Sequence, residues 1–177
     1  MFDFIKQILF ISKQVHPSIQ ISNDSKVYLN MVINKFLMFI INTLKKGSKL
    51  EQNFEGILGP EMYRNLISNC KPIIGNLKSI AVPSKKINDI CIKHNLYLSN
   101  EEIKFLSCAI EYILAEILEL SGNVCRDSRK IRLNNDFINT AIRKDKELSD
   151  LIGLLDINIT AYSRKNKNRS KNKRSRK

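Results

Sequence analysis

The stretch LSNEEIKFLSCAIEYILAEILELSGNVCRDSRKIR, residues 98–132, decides how the rest of the chain is read. Ile103, Leu106, Ile110, Ile113, Ile117, Leu120 and Val124 recur at spacings of three and four, which places them on one stripe of an α-helix. Ser99 followed by Glu102 forms a capping box that partners the first orphan N–H groups and sets the helix start. No proline interrupts the run, so a helix over about 101–126 is predicted, roughly 40 Å long at 1.5 Å per residue. Such a stripe cannot stay in water and must be core. On the opposite face Glu111, Glu116 and Glu119 fall within an arc of about 140°. The helix then runs out into a basic loop, Arg126 to Arg132, which includes Arg129 and Lys130.

Composition bounds what surrounds this helix. The chain has 177 residues, long enough for one large core or two small ones. Its net charge is +13, and residues 164–177, RKNKNRSKNKRSRK, hold nine basic groups and no acid, which leaves only +4 on the rest. Four cysteines show no CxxC spacing and stand beside only two histidines, so they read as small apolar residues in a reducing compartment, without a metal. The apolar N-terminus MFDFIKQILFI is broken by Asp3 and Lys6 and reads as an amphipathic helix, not a signal peptide. No run approaches the roughly 18 apolar residues of a membrane span, so no membrane partner is expected. Paired carboxylates beside a histidine, a nucleophile constellation and a phosphate-cradling glycine loop are all missing, so neither an enzyme nor a cofactor is expected.

Compared with itself, the chain repeats. Ile21-Ser22-Asn23-Asp24 matches Leu98-Ser99-Asn100-Glu101, and at the same offset Leu29, Ile33, Phe36, Leu37, Ile40 and Ile41 match Leu106, Ile110, Ile113, Leu114, Ile117 and Leu118. Each half therefore reads as short helix, loop, long helix, loop, short helix. In the first half a helix from Phe4 to Val15 stops before Pro17, and a long helix spans about 23–46 with Gly47 as its terminator. A loop over 52–56 follows, then a helix over 60–70 opened by Pro60, then a short helix over about 74–81. In the second half Lys85, Lys86, Ile87, Ile90 and Cys91 mark the first helix. Beyond the long helix come N-cap candidates at 134–136, a helix over 136–143 and a further turn or two around Leu148, Leu151 and Ile152. Past Tyr162 nothing is left to bury, so the basic tail is expected to be disordered.

The words AIEYILAEILELSGNVCRDSRKIRL and AIRKDKELSDLIG closely resemble the long helix, second loop and third helix of core histone 2A. More weakly, KQVHP at 13–17, ISND at 21–24, and Asn30 and Asn34 resemble core histone 2B, the partner with which histone 2A pairs. The resemblance implies an all-α architecture of two tandem histone folds clasped in an intramolecular handshake pseudo-dimer, with a disordered basic C-terminal tail. The implied domains are a 2B-like fold at 1–82, a 2A-like fold at 83–160 and the tail at 161–177. Fused doublets of this kind are known in large DNA viruses, and the Lys, Asn and Ile bias suits an AT-rich genome.

The resemblance also implies function: a structural protein that wraps duplex DNA in nucleosome-like particles with a histone 3-4 type doublet or tetramer, without reading bases. Arg132 matches the arginine that enters a minor groove facing the protein. Arg129 and Lys130 flank it, Lys86 matches a phosphate-contacting position with Lys85 beside it as a further DNA-binding candidate, and Ser22 and Asn23 sit where the 2B loop offers donors. Tail cations, among them Arg164, Lys165, Lys173 and Arg174, are expected on phosphates or in a nuclear import signal. Nine engaged phosphates would give a salt slope near −8, from about −0.9 each. Glu111, Glu116, Glu119, Asp145 and Glu147 match the acidic patch on which chromatin factors place arginines. The implied site of action is the nucleus or chromatin, or a host nucleus, viral factory or virion if the chain is viral.

Departures from the family pattern are specific. Asp89 replaces a basic residue, the loop over 94–100 is short and lacks arginine, Phe54 and Glu55 occupy the loop over 52–56, and Lys146 interrupts the acidic group. One of the two paired-loop surfaces should therefore hold DNA weakly. The competing reading is a histone-fold transcription or replication factor subunit that forms no nucleosome-like particle.

Overall fold

The computed structural model describes residues 1–47, 49–75 and 79–159. Eight helices and two short strands follow one another among them: α1 (Ile5–Val15), β1 (Gln20–Ile21), α2 (Asn23–Leu44), α3 (Leu50–Ile57), α4 (Pro60–Ile74), α5 (Ser84–Lys93), α6 (Asn100–Asp127), β2 (Arg132–Leu133), α7 (Asn135–Lys144) and α8 (Lys146–Leu154). Side chains written into the sequence set the starts. The Ser99 hydroxyl accepts from the Glu102 N–H at 3.2 Å while Glu102 Oε2 accepts from the Ser99 N–H at 2.8 Å, completing the capping box of α6. Ser22 caps α2, Asn134 caps α7 and Asp145 caps α8, each by accepting a backbone N–H of the first turn.

Helix α6 is the centre of the fold, packing against α1, α2, α4, α5 and α7. All twelve apolar residues of the internal repeat, six on α2 and six on α6, are buried. By length and composition α2 is apolar enough to cross a membrane, with mean hydropathy 1.5 over 18 residues, although the sequence shows no unbroken apolar run of that length. Here it serves as a core helix, and 61% of that window is buried. The α6 stripe keeps to its expected course as far as Ile117 and then shifts. Leu120 and Val124 are only half-buried, whereas Leu118, Ser121, Gly122 and Cys125 are buried. The cause is α1, beyond whose C-terminus His16 lies so close on Gly122 that a β-carbon there would strike the imidazole. All four cysteines are buried free thiols, and burial raises the Cys91 thiol to about 11.

Three expectations for the first half are corrected. Helix α2 ends at Leu44, short of the expected 46, and Gly47 closes the turn at φ +90°, where only glycine sits without strain. The expected loop over 52–56 is instead helix α3. It folds because Phe54 is fully buried, edge-on to Phe36 of α2 at 6.0 Å and to Phe105 of α6 at 5.3 Å, so helix formation there completes the core. Helix α4 runs on to Ile74, and the short helix expected over 74–81 does not form among its described residues. The N–H groups of Ala81 and Val82 are taken by the Glu111 carboxylate rather than by carbonyls one turn back, and Pro83 disfavours a helical residue before it.

Candidate nucleic-acid interface

One end of the molecule is built from two loops that lie side by side. Strands β1 and β2 pair in parallel, Gln20 with Arg132 and Ile21 with Leu133, through Gln20 N–H to the Ile131 carbonyl at 2.9 Å and Ser22 N–H to the Leu133 carbonyl at 3.0 Å. A buried polar chain ties the helices that start here. Ser22 donates to the Ser25 hydroxyl, which donates to Asn135 Oδ1, both at 2.8 Å, so the N-termini of α2 and α7 are held together. The starts of α2 and α7 thus lie side by side in one region, with part of their first-turn N–H groups taken by Ser22 and Asn134.

Exposed cations surround that region. Arg129 occupies a left-handed conformation at φ +55°, and the Lys130 N–H returns to the Cys125 carbonyl at 3.0 Å, so the loop is a defined turn. Arg129, Lys130 and Arg132 are exposed, and among the described residues none of them is in an ion pair. Arg126, at which the long helix runs into the basic loop, joins them. With Arg129, Lys130, His16, Pro17 and Ser18 it lines a cleft of about 480 Å³. His16 Nε2 lies 2.9 Å from the Glu119 carbonyl and so anchors the KQVHP segment to α6. Asn23 is exposed and accepts from the Lys26 ammonium at 3.1 Å. Fixed cations beside oriented N–H groups suit phosphodiester oxygens.

The other expected phosphate contacts divide. Lys85 is exposed, but Lys86 is half-buried, with its ammonium donating to the Asp3 carbonyl and standing 4.3 Å from the Phe4 ring centroid. Burial lowers the Lys86 pKa, the charge of Asp3 opposes that, and Lys6 adds to it. Arg164, Lys165, Lys173 and Arg174 lie outside the described residues.

The opposite end of the fold differs in kind. The start of α3 meets the start of α6 around a cleft of about 610 Å³ lined by Lys49, Glu51, Gln52, Glu101 and Glu102 above Leu50 and Phe105. Carboxylates outnumber cations there, and among the described residues only β1 and β2 form a strand pair.

Of the acidic residues, three are occupied by backbone. Glu111 accepts from Ala81 and Val82 and holds the junction between the halves. Glu147 accepts from the N–H groups of Glu61 at 3.1 Å and Met62 at 2.7 Å, which caps α4, and Gly59 leaves the room its side chain fills. Asp145 accepts from Leu148 N–H at 2.8 Å as the α8 cap. Glu116 is half-buried, and its carboxyl is pushed above the ordinary range by burial, then by the charges of Glu119, Asp145 and Glu61. Glu61 carries no signal in the sequence, because it enters the cluster only when the α4 start is laid beside α6 and α8. Lys146 pairs with Asp150 at 2.7 Å.

No family model matches the chain. Part of it is similar to curated histones. It is 53% identical over 47 residues to histone macroH2A1.1 of Capsaspora owczarzaki, covering 27% of this chain and 13% of that protein. It is 45% identical over 53 residues to a probable histone 2A of Oryza sativa subsp. indica, covering 30% of this chain and 39% of the relative. Against a probable histone 2A of Arabidopsis thaliana it is 47% identical over 49 residues, or 28% of this chain and 37% of that one. The chain therefore spans well under half the length of these relatives, and about 30% of it is similar to histone 2A.

Proposed function

We propose that this chain is a structural DNA-packaging protein, a histone 2B-2A doublet with folds at 1–82 and 83–160 and a basic tail at 161–177, which wraps duplex DNA with a histone 3-4 type partner. The observation that carries this reading is the parallel pairing of Gln20–Ile21 with Arg132–Leu133, which gathers Arg126, Arg129, Lys130 and Arg132 beside the starts of α2 and α7. That surface holds the duplex by phosphates, with Arg132 in the minor groove, Ser22 and Asn23 as local donors and Lys85 as an outlying cation. It reads no base and carries out no reaction. Tail cations add phosphate contacts. Glu116, Glu119 and Glu61 remain for a partner's arginines, since Glu111, Asp145 and Glu147 already hold backbone N–H groups. The site of action follows as chromatin in a nucleus, or a viral factory or virion if the chain is viral.

The second reading, a histone-fold transcription or replication factor subunit, is favoured by one observation. Helix α3 and its carboxylates stand where a second paired loop would hold DNA. Nuclease digestion of DNA reconstituted with this chain and a histone 3-4 type partner separates the two. Protected fragments of uniform length are expected, and a smear overturns packaging. In the same reconstitution Arg132→Ala weakens retention and makes the log K against log salt slope shallower by about 0.9, with an unchanged melting temperature.

A further inference from the structure

Residues 2–4 run as a strap between α2 and α5. Asn34 Oδ1 accepts from the Phe2 N–H at 2.6 Å, Asn34 Nδ2 donates to the Phe2 carbonyl at 2.8 Å, and Asn30 Oδ1 accepts from the Phe4 N–H at 2.7 Å. Two asparagines one turn apart on α2 thus pair the strap backbone much as a neighbouring strand would. Phe4 is fully buried, and Phe2 meets the His94 ring edge-on at 6.0 Å. The far side of the strap is gripped by α5. Lys86 donates to the Asp3 carbonyl and stands over the Phe4 ring, and Lys93 stands 5.8 Å from the Phe2 centroid. The cleft alongside, about 570 Å³, is lined by Lys85, Lys86 and Lys93 and by two carboxylates, Asp3 and Asp89.

We propose that this strap is an intramolecular competitor for the DNA phosphate that the start of α5 would otherwise hold. Lys86 is withheld from DNA while the Asp3 carbonyl and the Phe4 ring occupy its ammonium, and the Asp3 carboxylate stands where a phosphate would have to come. The inference rests on the DNA-binding reading above. It adds that α5 binds phosphate only when Lys86 leaves the strap, so the loop end carries first contact and α5 engages second.

Asp3→Asn tests it cleanly, because an amide oxygen still accepts the Ile5 N–H that Asp3 Oδ1 holds at 2.9 Å while the charge disappears. The variant should bind duplex DNA about two- to fivefold more tightly at low salt, the size of one exposed charge contact. Adding Phe4→Leu, which keeps an apolar plug but removes the ring beneath the ammonium, should steepen the salt slope by about 0.9. Both gains should vanish in a Lys86→Gln background. Unchanged affinity in Asp3→Asn, or a gain that survives Lys86→Gln, overturns the proposal. Labelling with an amine-reactive reagent, read by peptide mass, gives a DNA-independent arm. Lys86 should react more slowly than Lys85 in the parent and faster in Asp3→Asn, and equal rates in the parent overturn the clasp. A parent chain that shows no salt-dependent DNA binding brings down the DNA reading and the competitor role together, while the labelling still decides the clasp.

Discussion

Carboxylates in this protein divide by what reaches them. Glu111, Asp145 and Glu147 each accept backbone N–H groups, so their charges complete helix starts and a linker and leave less for a visiting arginine. Glu116 has no such compensation. Half-buried among Glu119, Asp145 and Glu61, it holds its proton more tightly folded than unfolded. A raised carboxyl pKa means the folded state binds more protons between the unfolded and folded values, so stability falls as pH rises through that window. Glu116→Gln removes the charge while nearly keeping the shape of the side chain and should raise the melting temperature at pH 7. Below about pH 4, where glutamate is protonated in both states, the difference should disappear. Melting curves at the two pH values check this, and an equal shift at both would show that packing rather than charge is responsible.

At the scale of elements, α3 is the departure with most consequence. The segment expected as the loop after the long helix folds as eight helical residues because Phe54 bridges Phe36 and Phe105. Its helix turns Glu51 toward the end where Glu101 and Glu102 begin α6, so what gains core packing loses a basic surface. Phe54→Ala should cost about 3–5 kcal/mol, as aromatic truncation in a filled core does, and chemical denaturation measures it. DNA affinity at the β1–β2 end should survive in the fraction that remains folded, because Ser22, Ser25 and Asn135 hold that end together without α3.

Across the whole molecule the two halves share one core. Helix α4 of the first half packs on α6 of the second, Glu147 of α8 caps α4, Glu111 holds the junction, and the strap lies under α5. A single calorimetric transition is therefore expected for the chain, and residues 1–82 or 83–160 expressed alone should remain unfolded, each exposing an α2 or α6 stripe. Two resolved transitions would show the halves to be independent. How much of this was legible in advance follows from the range of the forces involved. Periodicity and capping act within a few residues, so the sequence by itself determined the α2 stripe, the α6 stripe as far as Ile117, the caps at Ser99 and Asn134, and the basic turn before Leu133. The words similar to histone 2A lie in that same locally coded stretch. Partners distant in the chain were beyond its reach. Only the tertiary structure decided that Phe54 would be core, that Glu111 and Glu147 would close on backbone, that Glu61 would join Glu116, and that Lys86 would meet Phe4. In each case a side chain's role depends on which buried surface or orphan N–H the fold brings within hydrogen-bond or van der Waals distance, and no local spacing encodes that.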